Sequence, residues 1–300
     1  MNNYKTYNNY LKKRFGKSVL KIPLNAGFTC PNIDGTKSKG GCIYCDNVAF
    51  SPVAASTDPV ITQLEKGINR GKHRFDLFIG YFQAYSNTFA PVEKLRKIYE
   101  PIVAHPDVIG IAIGTRPDCF SKNIFNYLSE INERTYLSVE IGMQTAHNST
   151  LKTINRHHSF EESEKVIREL AKRNIESVVH VMLGLPGESR ETMLETAEIV
   201  AQLPVQGVKI HQLMVIKNTE LEREWYANNK ITVLSLEEYA ELVGEFLFRL
   251  RPDQIIHRIM ADCRIESGLV APLWSANKRN SLQFIQNYLR KNKIFQGMKY

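Results

Sequence analysis

Apolar, β-rich runs recur along the chain at 75–82 (FDLFIGYF), 108–114 (VIGIAIG), 136–141 (YLSVEI), 177–183 (SVVHVML) and 207–213 (GVKIHQL), with a weaker run at 18–23. Helical patterns lie between them, several with recognisable starts. Asp58-Pro59 reads as an N-cap followed by proline at the first helical position, ahead of ITQLEKGINR. Ser159 with Glu162 forms a capping box before a helix whose Val166, Ile167, Leu170 and Ala171 share one face. Ser235 with Glu238 repeats the device before YAELVGEFLFRL. Near-continuous apolar strands alternating with helices predict a parallel sheet covered by helices. Six such units run from about residue 18 to 250, and QIIHRIM at 254–260 predicts a last strand. Six units suit an incomplete β/α barrel, with an open doubly wound sheet as the alternative. Neither G-x-G-x-x-G after the first strand nor G-x-x-x-x-G-K-[ST] occurs, so neither nucleotide-binding fingerprint is present.

Composition narrows the class. With 300 residues, 43% hydrophobic and 23% charged, the chain can bury a substantial core. It has no apolar run near the ~18 residues of a membrane span, and its N-terminus lacks the apolar core of a secretory signal. The expected compartment is the cytoplasm, with no membrane partner. The net charge of +8 is unevenly placed. Residues 1–22 hold six Lys/Arg (Lys5, Lys12, Lys13, Arg14, Lys17, Lys21) without an acid, and 274–300 hold six more (Lys278, Arg279, Arg290, Lys291, Lys293, Lys299), also without one. The middle is therefore net acidic, and the basic ends suggest an anionic partner. Tyr4, Tyr7, Tyr10 and Phe15, then Phe284, Tyr288, Phe295 and Tyr300, interleave with those charges. That combination suits base stacking with phosphate contact, or else packing against the core.

The chemistry-bearing feature is Cys30-Pro-Asn-Ile-Asp-Gly-Thr-Lys-Ser-Lys-Gly-Gly-Cys42-Ile-Tyr-Cys45, after the first expected strand. Five cysteines in all are too few for a disulfide scaffold. Three in one loop leave three readings. A structural zinc needs a fourth ligand from far away, because no second C-x-x-C exists. A redox C-x-x-C pair leaves Cys30 unexplained. An iron–sulfur cluster with three cysteine ligands keeps one iron open to a small molecule, and Lys37, Lys39 and backbone amides would offset its charge.

A three-cysteine loop after strand one of a partial barrel, with Tyr44 before the last cysteine, resembles the radical S-adenosylmethionine (radical SAM) superfamily. The spacing C-x11-C-x2-C departs from the usual C-x3-C-x2-C; longer loops occur in its elongator-like branch, which acts on tRNA wobble uridine. Thr115-Arg116-Pro117-Asp118, Val139-Glu140-Ile141-Gly142-Met143-Gln144-Thr145, Ile154-Asn155-Arg156-His157-His158 and His180-Val181-Met182-Leu183-Gly184-Leu185-Pro186-Gly187-Glu188 follow that branch's motifs in order, over roughly residues 18–220. TCPN at 29–32, YFQAYSNT at 81–88, HRIMADC at 257–263 and APLW at 271–274 resemble the bacterial YhcC/YtqA (MnmL) type.

The resemblance implies a partial (β/α)6 radical SAM barrel over 18–250, a short basic N-terminal extension at 1–17 and a subfamily-specific C-terminal extension at 251–300. It implies a [4Fe-4S] cluster on Cys30, Cys42 and Cys45 and S-adenosylmethionine held by Gln83, Gln144, Arg156, His180 and Met182. A 5′-deoxyadenosyl radical would result. Arg156 would meet the methionyl carboxylate, and Gln83 stands where relatives carry Gly-Gly-Glu. Gly114 replaces an acid usual in the branch, with Glu140 as a possible substitute. Tyr81, Tyr85, Asn87, Arg116, His257, Arg258 and Asp262 are candidates to face substrate, while Cys119 and Cys263 read as buried small hydrophobes. The implied reaction converts a carboxymethylaminomethyl group on wobble uridine (U34) to aminomethyl, with tRNA as partner and a flavodoxin or ferredoxin as electron donor. The rivals are a radical SAM oxidoreductase on a small-molecule or protein substrate and a zinc-containing RNA-binding protein without radical chemistry.

Overall fold

The computed structural model describes residues 3–51 and 53–300. Nine strands appear in chain order: β1 Val19–Leu24, β2 Leu77–Phe82, β3 Val108–Thr115, β4 Tyr136–Gln144, β5 Glu176–Leu183, β6 Gly207–Gln212, β7 Val215–Ile216, β8 Ile255–Arg258 and β9 Leu269–Ala271. The longer helices are α1 Tyr7–Phe15, α3 Val60–Gly71, α4 Val92–Val103, α5 Lys122–Arg134, α7 Phe160–Lys172, α8 Arg190–Gln202, α9 Leu236–Arg249 and α10 Lys278–Lys291; α2 Asn47–Phe50 and α6 Asn148–Thr153 are short. Seven strands form one parallel sheet in the order β1-β2-β3-β4-β5-β6-β8. Strict sequential order without a switch point is that of a partial barrel, and the doubly wound alternative falls. β7 and β9 make a separate antiparallel pair. Among the described residues, no helix is long and apolar enough to cross a membrane.

Helices α3 to α9 place their apolar faces on the outside of the sheet, where Ile22, Leu64, Phe82, Tyr99, Ile113, Ile141, Val179 and Phe246 belong to one core. Both expected capping boxes form, at Ser159/Glu162 and Ser235/Glu238. The start of α3 differs from expectation. Pro59 is the N-cap and Asp58 caps nothing; the Asp58 carbonyl instead accepts from Gln63 Nε2 at 2.8 Å, and its carboxylate pairs with Lys66. A proline at N-cap has no side-chain acceptor, so Gln63 orders that entry from within the helix.

The basic ends are folded onto the barrel. Thr6 caps α1 and bridges in parallel to Ile256 of the edge strand β8. Tyr7 and Leu11 then pack with Ile79, Tyr81, Ala112 and Tyr136 inside the N-terminal end of the barrel, and Tyr10 donates to Glu176 at 2.6 Å. This helix is a plug. Tyr4, Phe284 and Tyr288 pack against the main core and Phe15 sits edge-on to Tyr136, so these aromatics are packing residues. Phe295 and Tyr300 remain exposed. The C-terminal segment doubles back to meet the N-terminus, with Asn3 Nδ2 donating to the Ile294 carbonyl at 2.7 Å and the Lys5 amide to Gln296 Oε1 at 3.0 Å. Lys12, Lys13, Arg14, Arg290, Lys291 and Lys293 thus gather at the N-terminal end of the barrel. Lys278, at the start of α10, reaches the opposite mouth, where it pairs with Asp262 at 2.8 Å.

Candidate active site

A cavity of about 870 Å3 opens at the C-terminal ends of the strands, the end where β/α barrels place their chemistry. Cys30, Cys42 and Cys45 all line it. The long first spacing is explained by a small hairpin: Asp34 bridges Lys39, Gly35, Gly40 and Gly41 take positive φ, and the chain returns Cys42 toward Cys30. Segment 154–158 holds the loop in place. The Ile43 amide donates to the Ile154 carbonyl at 3.2 Å, Asn155 Nδ2 to the Gly41 carbonyl at 2.8 Å, and Lys37 pairs with Asp118 at 2.7 Å.

Two of the three sulfurs receive N–H donors. Asn32 Nδ2 and Arg156 Nη1 approach Cys42 Sγ at 3.5 and 3.4 Å, and Asn47 Nδ2 approaches Cys45 Sγ at 3.5 Å. Donors aimed at sulfur favour thiolate, the form that binds metal. Burial and the neighbouring cysteines push the Cys45 thiol up to about 12. Three thiolates without a counter-ion would therefore repel, and a cationic iron cluster relieves that. Among the described residues, no three His, Cys, Asp or Glu groups converge closely enough for a single metal ion. The three cysteines share the wall of one cavity, a donor set that an iron–sulfur centre with three cysteine ligands can use.

Gln83 lies one residue beyond β2, Arg116 one beyond β3, Gln144 ends β4 and Met182 is the last but one of β5; all line the cavity. Gln144 has φ 74°, beside a register shift between β4 and β5, so a bulge turns its side chain. Gly142 makes room for it: a Cβ there would lie 2.6 Å from Arg156 Nη2 and 3.0 Å from Gln144 Nε2. Arg156 lines the cavity and is bonded within the chain. It is buried, with Nε on His158 Nε2 at 2.9 Å, Nη2 on the Gly142 carbonyl at 2.8 Å and Nη1 on Cys42. Arg116 is likewise engaged, bidentate to Asp118 and bonded to the Arg156 carbonyl, with Nη1 left unpartnered.

Deeper in the barrel lies a polar layer that strand periodicity did not single out. Glu140 is fully buried and accepts from Lys21, Lys209, Tyr81 Oη (2.7 Å) and His180 Nε2 (2.8 Å). Burial opposes its charge, but Lys209 and Lys21 outweigh that and hold the carboxyl well below its usual range. Burial and Lys209 lower His180 to about 4, so it is neutral at pH 7 and donates to Glu140. Glu140 pairs directly with Gly114 across the β3–β4 register, beside the position where the acid is missing. Arg258, Asp262 and Tyr85 line the cavity as expected. His257 does not: it stacks on Tyr7 at 3.9 Å between ring centroids, below the site. Asn87 is also structural, donating to the Ala84 and Gly114 carbonyls at 2.9 and 2.8 Å. Cys119 and Cys263 are buried. The signal for the missed residues was available, since Lys21 and Lys209 are charges set inside apolar strand runs.

The family model for the radical SAM superfamily matches residues 35–200, and that for the Radical_SAM C-terminal domain matches 205–291. The uncharacterized protein YtqA of Bacillus subtilis is 43% identical over 98% of this chain and 92% of its own length. A tRNA uridine(34) acetyltransferase of Methanocaldococcus infernus is 31% identical over 45% of this chain and 25% of its own. The solved structure of Methanocaldococcus infernus Elp3 superposes with TM-score 0.68 at 18% identity, covering 93% of this chain and 64% of that one.

Proposed function

Because this chain belongs to the radical SAM superfamily, whose cofactors are a [4Fe-4S] cluster and S-adenosylmethionine, we propose that it acts on tRNA and converts a carboxymethylaminomethyl group on wobble uridine to aminomethyl. The observation that carries this reading is the cavity: one side bears three cysteines, two of them with N–H donors on sulfur, and the floor beneath carries Lys21, Lys209 and Arg258. The match to a tRNA uridine(34) acetyltransferase supports the substrate class.

Cys30, Cys42 and Cys45 would hold the cluster, with one iron left for S-adenosylmethionine. Gln83, Gln144 and Met182 line the adjoining wall and would hold that molecule, together with Arg156, which also screens the charge on Cys42. When bound, the two cofactors supply a carbon-centred radical for hydrogen abstraction and, with an electron donor such as flavodoxin or ferredoxin, act as a net two-electron oxidant. On the substrate, the CH2 between nitrogen and carboxylate loses one hydrogen and the adjoining N–H loses the other, two protons and two electrons in all, to leave an imine. Water then cleaves the C=N bond to give the aminomethyl group and glyoxylate. The α1 plug packs into the far end of the barrel and would help keep water from the reacting groups. The neutral His180, fixed by Glu140, lines the same cavity and would also lie against S-adenosylmethionine.

Mass spectrometry of tRNA nucleosides from a deletion strain tests the proposal. Carboxymethylaminomethyluridine should accumulate and the aminomethyl-derived nucleosides should disappear; an unchanged profile refutes it.

A further inference from the structure

The floor of the cavity carries more positive charge than it neutralises. Lys21 on β1, Lys209 on β6 and Arg258 at the end of β8 line it, and among the described residues only Glu140 pairs with any of them. Glu140 is committed, with one oxygen on Lys21 and the other shared by Tyr81, His180 and Lys209. Arg258 donates to His211 alone, Nε at 3.1 Å and Nη2 at 2.9 Å to Nε2. Burial and the Arg258 charge push His211 well below its usual range, so it is neutral and supplies no counter-charge. Three cationic side chains thus share one carboxylate, and Arg258 faces the cavity with no acidic partner among the described residues. Lys209 shows the strain. Burial, then Lys21 and Arg258, lower its pKa well below the usual amine range although Glu140 opposes them.

Depth decides which anion fits. Lys21 lies three residues before the end of β1, about 10 Å below the level where the cysteine loop leaves the strand. Helix α1 closes the barrel beneath it. A backbone phosphate is tethered on both sides and would have to thread its strand through a blind pocket. A carboxylate that ends a side branch of a base enters as a free tip. Arg156 and Arg116 occupy the upper level, beside the cysteines, where the methionyl carboxylate has its own cations.

We propose that Lys21, Lys209 and Arg258 anchor the carboxylate at the tip of the substrate's side chain, so that the enzyme selects carboxylate-bearing substituents and fixes the adjacent CH2. This rests on the tRNA reading above.

The test titrates holoenzyme, without reductant, against anticodon stem–loops carrying carboxymethylaminomethyluridine, its carboxamide or unmodified uridine. S-adenosylmethionine binding is measured in parallel. Wild type should prefer the carboxylate to the carboxamide by roughly tenfold or more, as for a charged hydrogen bond. In Arg258→Gln, and in Lys209→Met, that ratio should fall to near one while S-adenosylmethionine affinity holds; Arg258→Lys should restore part of it. Arg258 is exposed to the cavity, so its replacement leaves the core intact. Lost S-adenosylmethionine affinity in Arg258→Gln would assign the site to the methionyl group and overturn the inference. An equal loss for all three stem–loops would assign it to phosphate and do the same. Wild type that binds stem–loops without preferring the carboxylate also overturns it. Wild type that binds none of them removes the tRNA reading as well.

Discussion

Replacing Glu140 by glutamine takes one charge from the centre of the barrel and strands two lysines. Glu140 is wholly buried, Lys209 nearly so, and four side chains donate to the carboxylate. Glutamine keeps one acceptor but turns an NH2 toward those same donors. Breaking a buried pair from one side costs about 3–5 kcal/mol. Lys209 limits the loss because it can release its proton, so the lower end of that range applies. At roughly 2–4 °C per kcal/mol, Tm should fall by about 5–10 °C near pH 7. The pH dependence has a definite sign. The folded pKa of Glu140 is lowered, so its contribution is complete above the unfolded value near ~4.3 and fades only as pH falls toward the folded value. The folded pKa of Lys209 is also lowered, so the unfolded chain holds more protons from that value up to ~10.4, and stability rises with pH across that window. Without Glu140 the window widens downward, and the deficit of the variant should be larger at pH 6 than at pH 9. Calorimetry of wild type and Glu140→Gln at both pH values measures this. An unchanged Tm near pH 7, or a deficit that grows with pH, would show that Glu140 is not the counter-ion of this layer.

Cys30→Ala, Cys42→Ala and Cys45→Ala should each lose iron, sulfide and absorbance near 400 nm, whereas Cys119→Ala and Cys263→Ala keep them; a normal cluster in any of the first three breaks the assignment. Arg156→Ala should lower S-adenosylmethionine affinity by roughly the 1.5–3 kcal/mol of a charged hydrogen bond and also lower cluster occupancy, because its Nη1 faces Cys42; unchanged iron content and affinity would remove it from the site. Neutralising Arg264 and Lys278, which line the mouth, should weaken tRNA binding and flatten its salt slope by roughly 0.7–0.9 units for each phosphate that is no longer neutralised. The triple replacement of Lys12, Lys13 and Arg14, or of Arg290, Lys291 and Lys293, at the opposite end should do less, and titration at several salt concentrations compares them.

Much of the architecture was legible because strand and helix periods alternate cleanly and the capping residues act locally. The Ser159 and Ser235 boxes form as written, and the apolar runs fall within a residue or two of β1, β2, β3, β5 and β6, while that of β4 stops three residues short of Gln144. Cooperation between distant segments was not legible. Tyr7 and Tyr10 resemble RNA-stacking residues until the fold places them beside Ile79 and Glu176. Charge counted along the chain put the two basic ends together as a grip, whereas the barrel sends most of that charge away from the mouth. Gly142 is silent in sequence; its meaning comes from Arg156 and Gln144 crowding the space a Cβ would need. Asn32 and Asn47 carried no signal beyond their nearness to cysteines, yet their amides point at sulfur. Lys21 and Lys209 were visible as charges in apolar strands, and only the closed sheet shows that they converge on Glu140.

The most direct measurement is a single reaction with purified components. Anaerobically reconstituted protein is supplied with S-adenosylmethionine, a reductant and tRNA that carries carboxymethylaminomethyluridine. Aminomethyluridine, 5′-deoxyadenosine and glyoxylate should appear together in equal amounts, and Cys42→Ala should produce none of them. Formation of 5′-deoxyadenosine while the wobble nucleoside stays unchanged would contradict the proposed substrate and leave only the radical chemistry standing.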